Sequence, residues 1–134
     1  IKPLKIGTIN VGSDLVKLLH IPMNFFDLGK ATIKKSSEAA LSKVVQALNQ
    51  YPNLKLDIRS HTDSRSSSES NQILSDKRAQ STRDWLISKG VDASRLTAKG
   101  YGETQLVNKC ADGVKCTEQQ HQLNRRSEFI VVAM

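Results

Sequence analysis

Apolar residues along this chain recur with two different periods, and the switches between them mark its elements. From Ser36 to Gln50, Leu41, Val44, Val45 and Leu48 fall at i, i+3, i+4 and i+7, the spacing of one buried helical face. Ser36 or Ser37 can cap that helix, and Pro52 stops it. In Leu54-Lys55-Leu56-Asp57-Ile58-Arg59 the period drops to two, which predicts a strand with one face on a core. A serine-rich loop from Ser64 to Ser68 leads into a second helix over residues 69–89, carrying Ile73, Leu74, Ala79, Trp85 and Leu86 and closed by Gly90.

Residues 95–99 predict a further strand, followed by the Tyr101-Gly102-Glu103 turn. Residues 127–133 predict the last strand; Phe129, Val131 and Ala133 alternate with Ile130 and Val132, a pattern expected of a central strand apolar on both faces. Ahead of the first helix, the compact apolar run Ile21 to Phe26, with Pro22 near its start, predicts a first strand that Asp27-Leu28-Gly29 breaks. Residues 1–19, with Gly7, Gly12 and Ser13 and one or two potential helical turns after Asp14, are expected as a lead-in or linker to a domain spanning 20–134. The order strand, helix, strand, helix, strand, strand implies an α/β (α+β) two-layer sandwich with two main helices on one sheet.

Size and charge narrow the picture. At 134 residues one domain suffices, able to bury about two thirds of its unfolded surface. No apolar run approaches the roughly 18 residues of a membrane span. The start at Ile1-Lys2-Pro3, without an initiator Met, is the start expected of a segment from a longer protein. The net charge of +7 is spread along the chain, with Lys34-Lys35 and Arg125-Arg126 the only doublets of a single residue type, and no basic block is interleaved with aromatics for base stacking. Specific nucleic-acid binding is therefore not expected.

Candidate chemistry concentrates between Thr62 and Arg78. Asn71, Ser75 and Arg78 stand at i, i+4 and i+7 on one helical face, and Asp63 sits in the loop at that helix's entrance. Together Asp63 and Arg78 offer a zwitterionic ligand one negative and one positive partner. Spacing alone leaves a second reading open, in which Asp63 caps a turn and Arg78 makes a surface ion pair worth about 0–1 kcal/mol. Of the histidines His20, His61 and His121, only His61 lies near this stretch, and packing is its expected role. No nucleophile elbow or metalloprotease helix motif occurs, so binding without turnover is expected, with no catalytic residue and no cofactor.

The run Ser60-His61-Thr62-Asp63, then Asn71, Leu74-Ser75, Arg78-Ala79, Trp85-Leu86, Gly90-Val91, Arg95-Leu96, Gly100-Tyr101-Gly102-Glu103 and Asn124-Arg125-Arg126-Ser127-Glu128 resembles the OmpA-like peptidoglycan-binding domain, from about Ile21 through Val132. That resemblance implies the order β/α/β/α/β-β, with both helices on one face of a mixed four-stranded sheet. It also implies non-covalent capture of peptidoglycan through the diaminopimelate residue of its stem peptide. Asp63 would hold the diaminopimelate ammonium group and Arg78 its carboxylate. Asn71 would hydrogen-bond the ligand, Asp27 and Thr62 would line the groove, and Arg125 would add positive charge at its edge.

The same resemblance implies a periplasmic domain of a membrane-anchored, cell-envelope protein that tethers the outer membrane or a membrane protein to the wall. The alternative is a basic module gripping another anionic polymer, nucleic acid or lipid-linked phosphate. The loop Ser64 to Ser70 departs from the family's Gly-Ser pair and its Tyr before the Asn, and Arg65 within it is expected to point into solvent. Gln105-Leu106-Val107 stands where the family usually has a proline. Cys110 and Cys116 bracket a turn-rich insertion. An exported location favours a disulfide between them, although cysteine count alone also fits a reduced pair. A metal site of Cys110, Cys116 and His121 matches no standard zinc spacing, and none is expected.

Overall fold

Alternation in Lys55–His61 sends Leu56 and Ile58 into the core and leaves Asp57 and Arg59 on the opposite, wetter side, and this strand, β1, forms the middle of the sheet. In the computed structural model, which describes residues 6–27 and 29–134, β1 pairs in parallel with β2 (Leu96–Gly100) and antiparallel with β3 (Arg126–Ala133). Among the described residues four α-helices accompany this mixed sheet: α1 (Leu15–Leu18), α2 (Glu38–Gln50), α3 (Ser68–Ser88) and α4 (Glu118–Gln122). Residues 1–5 of the expected lead-in, and Leu28 of the expected break, lie outside the described residues.

The sheet has three strands among the described residues, where four were expected. Residues 21–26 run irregularly: Phe26 makes an isolated bridge with Ile33, and the Met23 carbonyl accepts the amide of Ser127 in β3 at 2.7 Å, without forming a ladder. Pro22 has no N–H to donate, and the Asn24 side chain accepts the Phe26 amide at 3.1 Å, a local turn bond in place of a ladder bond. Phe25 and Phe26 are nonetheless buried, and Phe25 stacks on Phe129 with centroids 5.8 Å apart. Apolar clustering there reported burial, not strand pairing.

β3 is an edge strand, not the central one, and its Val132 is exposed. Residues 12–14 cover that edge. The Gly12 amide donates to the Val131 carbonyl at 2.7 Å, the Val131 amide donates to the Ser13 carbonyl at 2.8 Å, and Asp14 bridges Ile130. The Asp14 carboxylate then accepts both Phe129 N and, as the cap of α1, Val16 N. Leu15, Val16 and Leu19 are buried in the core, and Ile6 and Ile9 pack against it.

α2 follows a 3-10 turn at Lys35–Ser37 and buries Leu41, Val44, Ala47 and Leu48. Ser37 holds the cap position but makes no side-chain cap bond. α3 is capped by Ser67, whose hydroxyl accepts the Ser70 amide. Gly90, at φ +99°, turns the chain out of α3, and Val91 folds back into the core with its amide on the Leu86 carbonyl. The inward face of α3 is polar along most of its length: Asn71, Ser75, Arg78 and Thr82 are buried beside only Ala79 and Leu86.

That polar face docks on the end of β2. A Cβ on Gly100 would lie 2.2 Å from the Asp76 amide nitrogen and 2.3 Å from the Ser75 hydroxyl, so only glycine permits the approach. The gap is closed by hydrogen bonds from Gly100 N to Asp76 Oδ1, from Gly102 N to Ser75 Oγ and from Gln72 Nε2 to Gly100 O. The space between α3 and the end of β1 is lined mostly by polar side chains. No helix among the described residues is long and apolar enough to cross a membrane.

Candidate functional site

β1 ends by delivering Thr62 and Asp63 to the entrance of α3. The Thr62 amide donates to the Gly102 carbonyl at 2.9 Å, and its hydroxyl donates to the Asp63 carbonyl at 2.9 Å. From α3, the Asn71 side-chain nitrogen reaches the Asp63 carbonyl at 3.0 Å, the Ser66 carbonyl at 3.2 Å and Glu103 Oε1 at 3.3 Å. Asn71 is thus a clasp for the loop. A second clasp comes from the far side, where the Ser64 hydroxyl donates to the Cys110 carbonyl.

Held this way, the Asp63 carboxylate is surrounded by arginine. Oδ1 accepts the Arg65 amide at 3.0 Å; Oδ2 accepts Arg65 Nη2 at 2.9 Å, Arg65 Nε at 3.2 Å and Arg125 Nη1 at 2.7 Å. Burial alone would raise its pKa, but the hydrogen bonds from Arg65 and Arg125 outweigh that and hold it at about 2. Glu118, the first residue of α4, completes a ring of charge. It accepts Arg65 Nη1 at 2.6 Å and also bonds Arg125 Nη2. Those two guanidinium groups lower its pKa.

Arg78 is built differently. It is 3% exposed, with Nε on the Lys30 carbonyl at 2.8 Å, Nη2 on the Asp27 carbonyl at 3.2 Å and its guanidinium 5.1 Å from the centre of the Phe26 ring. Among the described residues no carboxylate lies within ion-pair distance of it. Burial, and then the neighbouring Arg125 charge, lower its pKa, with Asp63 acting the other way. Backbone carbonyls and an aromatic face hold this cation without neutralising it.

Asp63 and Arg78 line one cleft of about 540 Å³, together with Gly29, Thr62, Arg65, Ser66, Asn71, Leu74, Glu118 and Arg125. Three guanidinium groups face two carboxylates there, leaving one positive charge in excess. The arrangement suits a ligand bearing at least one anionic group.

Of the residues the sequence nominated, Thr62, Asp63, Asn71, Arg78 and Arg125 meet at this cleft. Asp27 does not line it: its side chain is exposed, and it serves through the carbonyl that holds Arg78. Arg65, expected in solvent, folds back onto Asp63 and Glu118. Glu118 escaped the sequence reading. The signal available was the Thr117-x-x-Gln120 capping box, present in the structure, which starts a helix at Glu118. Cys110 and Cys116 are joined in a disulfide immediately before that helix. His61 packs as expected, buried, bonded to Glu128 at 2.5 Å and stacked on Tyr101 at 5.4 Å.

Known proteins share this pattern. Residues 25–120 match the OmpA family. The chain is 35% identical over 124 residues to the peptidoglycan-associated lipoprotein of Rhizobium meliloti, which covers 92% of this chain and 62% of that protein. It is 38% identical over 117 residues to a Gloeobacter violaceus protein named photosystem I P700 chlorophyll a apoprotein A2, covering 85% of this chain but 13% of the relative. The chain therefore spans less than two thirds of the length of either. Among solved structures, the Burkholderia pseudomallei peptidoglycan-associated lipoprotein superposes with a TM-score of 0.70 at 27% identity, covering 81% of this chain and 87% of that one. The cell wall anchor of the type VI secretion system from Pseudomonas aeruginosa gives 0.70 at 27% identity, covering 82% and 76%.

Proposed function

The chain belongs to the OmpA family, and on that premise we propose that its cleft binds cell-wall peptidoglycan non-covalently, through the diaminopimelate residue of the stem peptide. The relatives named for peptidoglycan association and wall anchoring support the polymer. The observation that carries the finer reading is Arg78, a buried cation with no carboxylate partner among the described residues, lining the same cleft as a buried carboxylate.

Arg78 takes the ligand carboxylate, as a guanidinium presents paired N–H groups to it. Asp63 takes the ammonium group of the same zwitterion. Arg125 keeps Asp63 ionised, Asn71 and Thr62 fix the loop, and the Asp27 carbonyl aims Arg78. No bond is broken; the domain acts as an anchor, on the periplasmic side, for a protein attached to the envelope.

Sedimentation with purified sacculi tests this, using wild type, Asp63→Ala and Arg78→Ala at low and high salt, with circular dichroism to confirm that each is folded. Both variants are expected to stay in the supernatant, and diaminopimelate sacculi to retain more wild-type protein than lysine sacculi. If both variants sediment like wild type, the site is wrong. Binding that falls steeply with salt yet survives either substitution points to a polyanion instead.

A further inference from the structure

Asp63 is crowded. A carboxylate offers about four lone-pair sites, and four N–H groups already donate to this one, three of them to Oδ2. Its single negative charge also faces two guanidinium groups. A ligand ammonium approaching Oδ2 therefore finds no acceptor site there, and one approaching Oδ1, which accepts only the Arg65 amide, still meets the like charge of two guanidinium groups, unless one donor withdraws.

The four donors are not equally held. The Arg65 amide belongs to the backbone of the clasped loop, and Arg125 is enclosed, its side chain 13% exposed. The Arg65 side chain is 42% exposed and has somewhere else to rest, because Nη1 already lies 2.6 Å from Glu118, itself 61% exposed. Releasing Nε and Nη2 from Asp63 costs two half-buried hydrogen bonds and keeps the exposed one to Glu118.

On the reading that Asp63 receives an ammonium group, we infer that Arg65 is an internal competitor for that position, which the ligand displaces from Asp63 onto Glu118. Arg65 thereby sets the affinity threshold of the cleft. A monovalent amine gains only Asp63 in exchange for the displaced guanidinium. A zwitterion gains Arg78 as well and so meets the threshold. The competitor lowers both affinities alike, so that at a given concentration only ligands that satisfy both poles together are retained.

The test uses a soluble diaminopimelate-containing stem tripeptide with wild type and Arg65→Gln. Calorimetry is expected to show Arg65→Gln binding about fivefold tighter, the upper range measured for exposed ion pairs, with a similar fold gain for a monovalent amine such as n-butylamine. In wild-type protein labelled for NMR, the Arg65 Nε–H signal is expected to move on titration with the peptide. Equal or weaker binding by Arg65→Gln, or a stationary Arg65 signal while the peptide binds, overturns the inference and leaves the proposed function standing. Absence of any binding by folded wild-type protein overturns the proposed function, and this inference with it.

Discussion

The two poles of the cleft hold their charges by opposite means. At Asp63, charge is met by charge: two arginines and, through them, Glu118 form a ring whose outer members reach solvent. At Arg78, charge is met by dipoles: two carbonyls and a phenyl ring, with no counter-anion among the described residues. The first pole is neutralised and adjustable; the second is buried and unneutralised. On the proposed reading, ligand binding at the first would be an exchange of partners, whereas at the second it would supply a partner for the first time. Most of the net binding energy is therefore expected at Arg78.

The largest effect should come from removing that second pole. Arg78→Ala is expected to weaken peptidoglycan binding by roughly 30-fold or more, the scale for losing one member of a buried charged contact, measured by sacculus binding isotherms. A loss smaller than that of Asp63→Ala would reverse the ranking of the poles. Next, Gly100→Ala should disturb both poles together, since α3 carries Arg78 and Asn71 and its approach to β2 tolerates no Cβ. Its cost is expected near 3 kcal/mol in urea unfolding, where overpacking meets backbone that cannot move aside.

Cutting the disulfide should separate the poles. The Cys110–Cys116 loop holds Ser64 and leads into Glu118, so Cys110→Ser with Cys116→Ser should loosen the Asp63 side alone. The expected loss is about 2–3 kcal/mol in thermal or chemical unfolding, with Arg78 contacts unchanged by NMR. The smallest effect is the titration of Asp63. Its folded pKa of about 2 lies below the ordinary 3.8, so its contribution to stability is complete above about pH 4 and disappears as pH falls through about 2. Asp63→Asn should remove that part of the pH profile, on the order of 1 kcal/mol because the Arg65 partner is half in water. Unfolding free energies of the two proteins at pH 5 and pH 2 measure it.

The unneutralised pole was also the more legible one. Period-two alternation located β1, and period 3.6 located α2 and the face of α3 that bears Asn71, Ser75 and Arg78. Residues 21–26 were misread because an apolar run looks the same whether it pairs in a ladder or packs as irregular chain. The ring around Asp63 was legible only in part. Arg65 meets Glu118 across 53 residues of sequence, through a loop closed by a disulfide and clasped by Ser64, and no local pattern encodes that meeting. Asp27 works through a carbonyl, a group that every residue carries, so its side chain gave a false lead.

On the proposed anchoring role, the cover of residues 12–14 over β3 would also shape how force crosses the molecule. Arg125, at the cleft, immediately precedes β3, and Gly12 and Ser13 are bonded to Val131, roughly 20 Å further along the same strand. A pull between a ligand held in the cleft and chain entering through residue 12 thus runs lengthwise along β3. Its ladder of bonds to β1 is loaded in parallel, so many must yield at once, while the two bonds at Val131 take the load first. The edge cover is the weak link of the load path, and the strand beneath it the strong one.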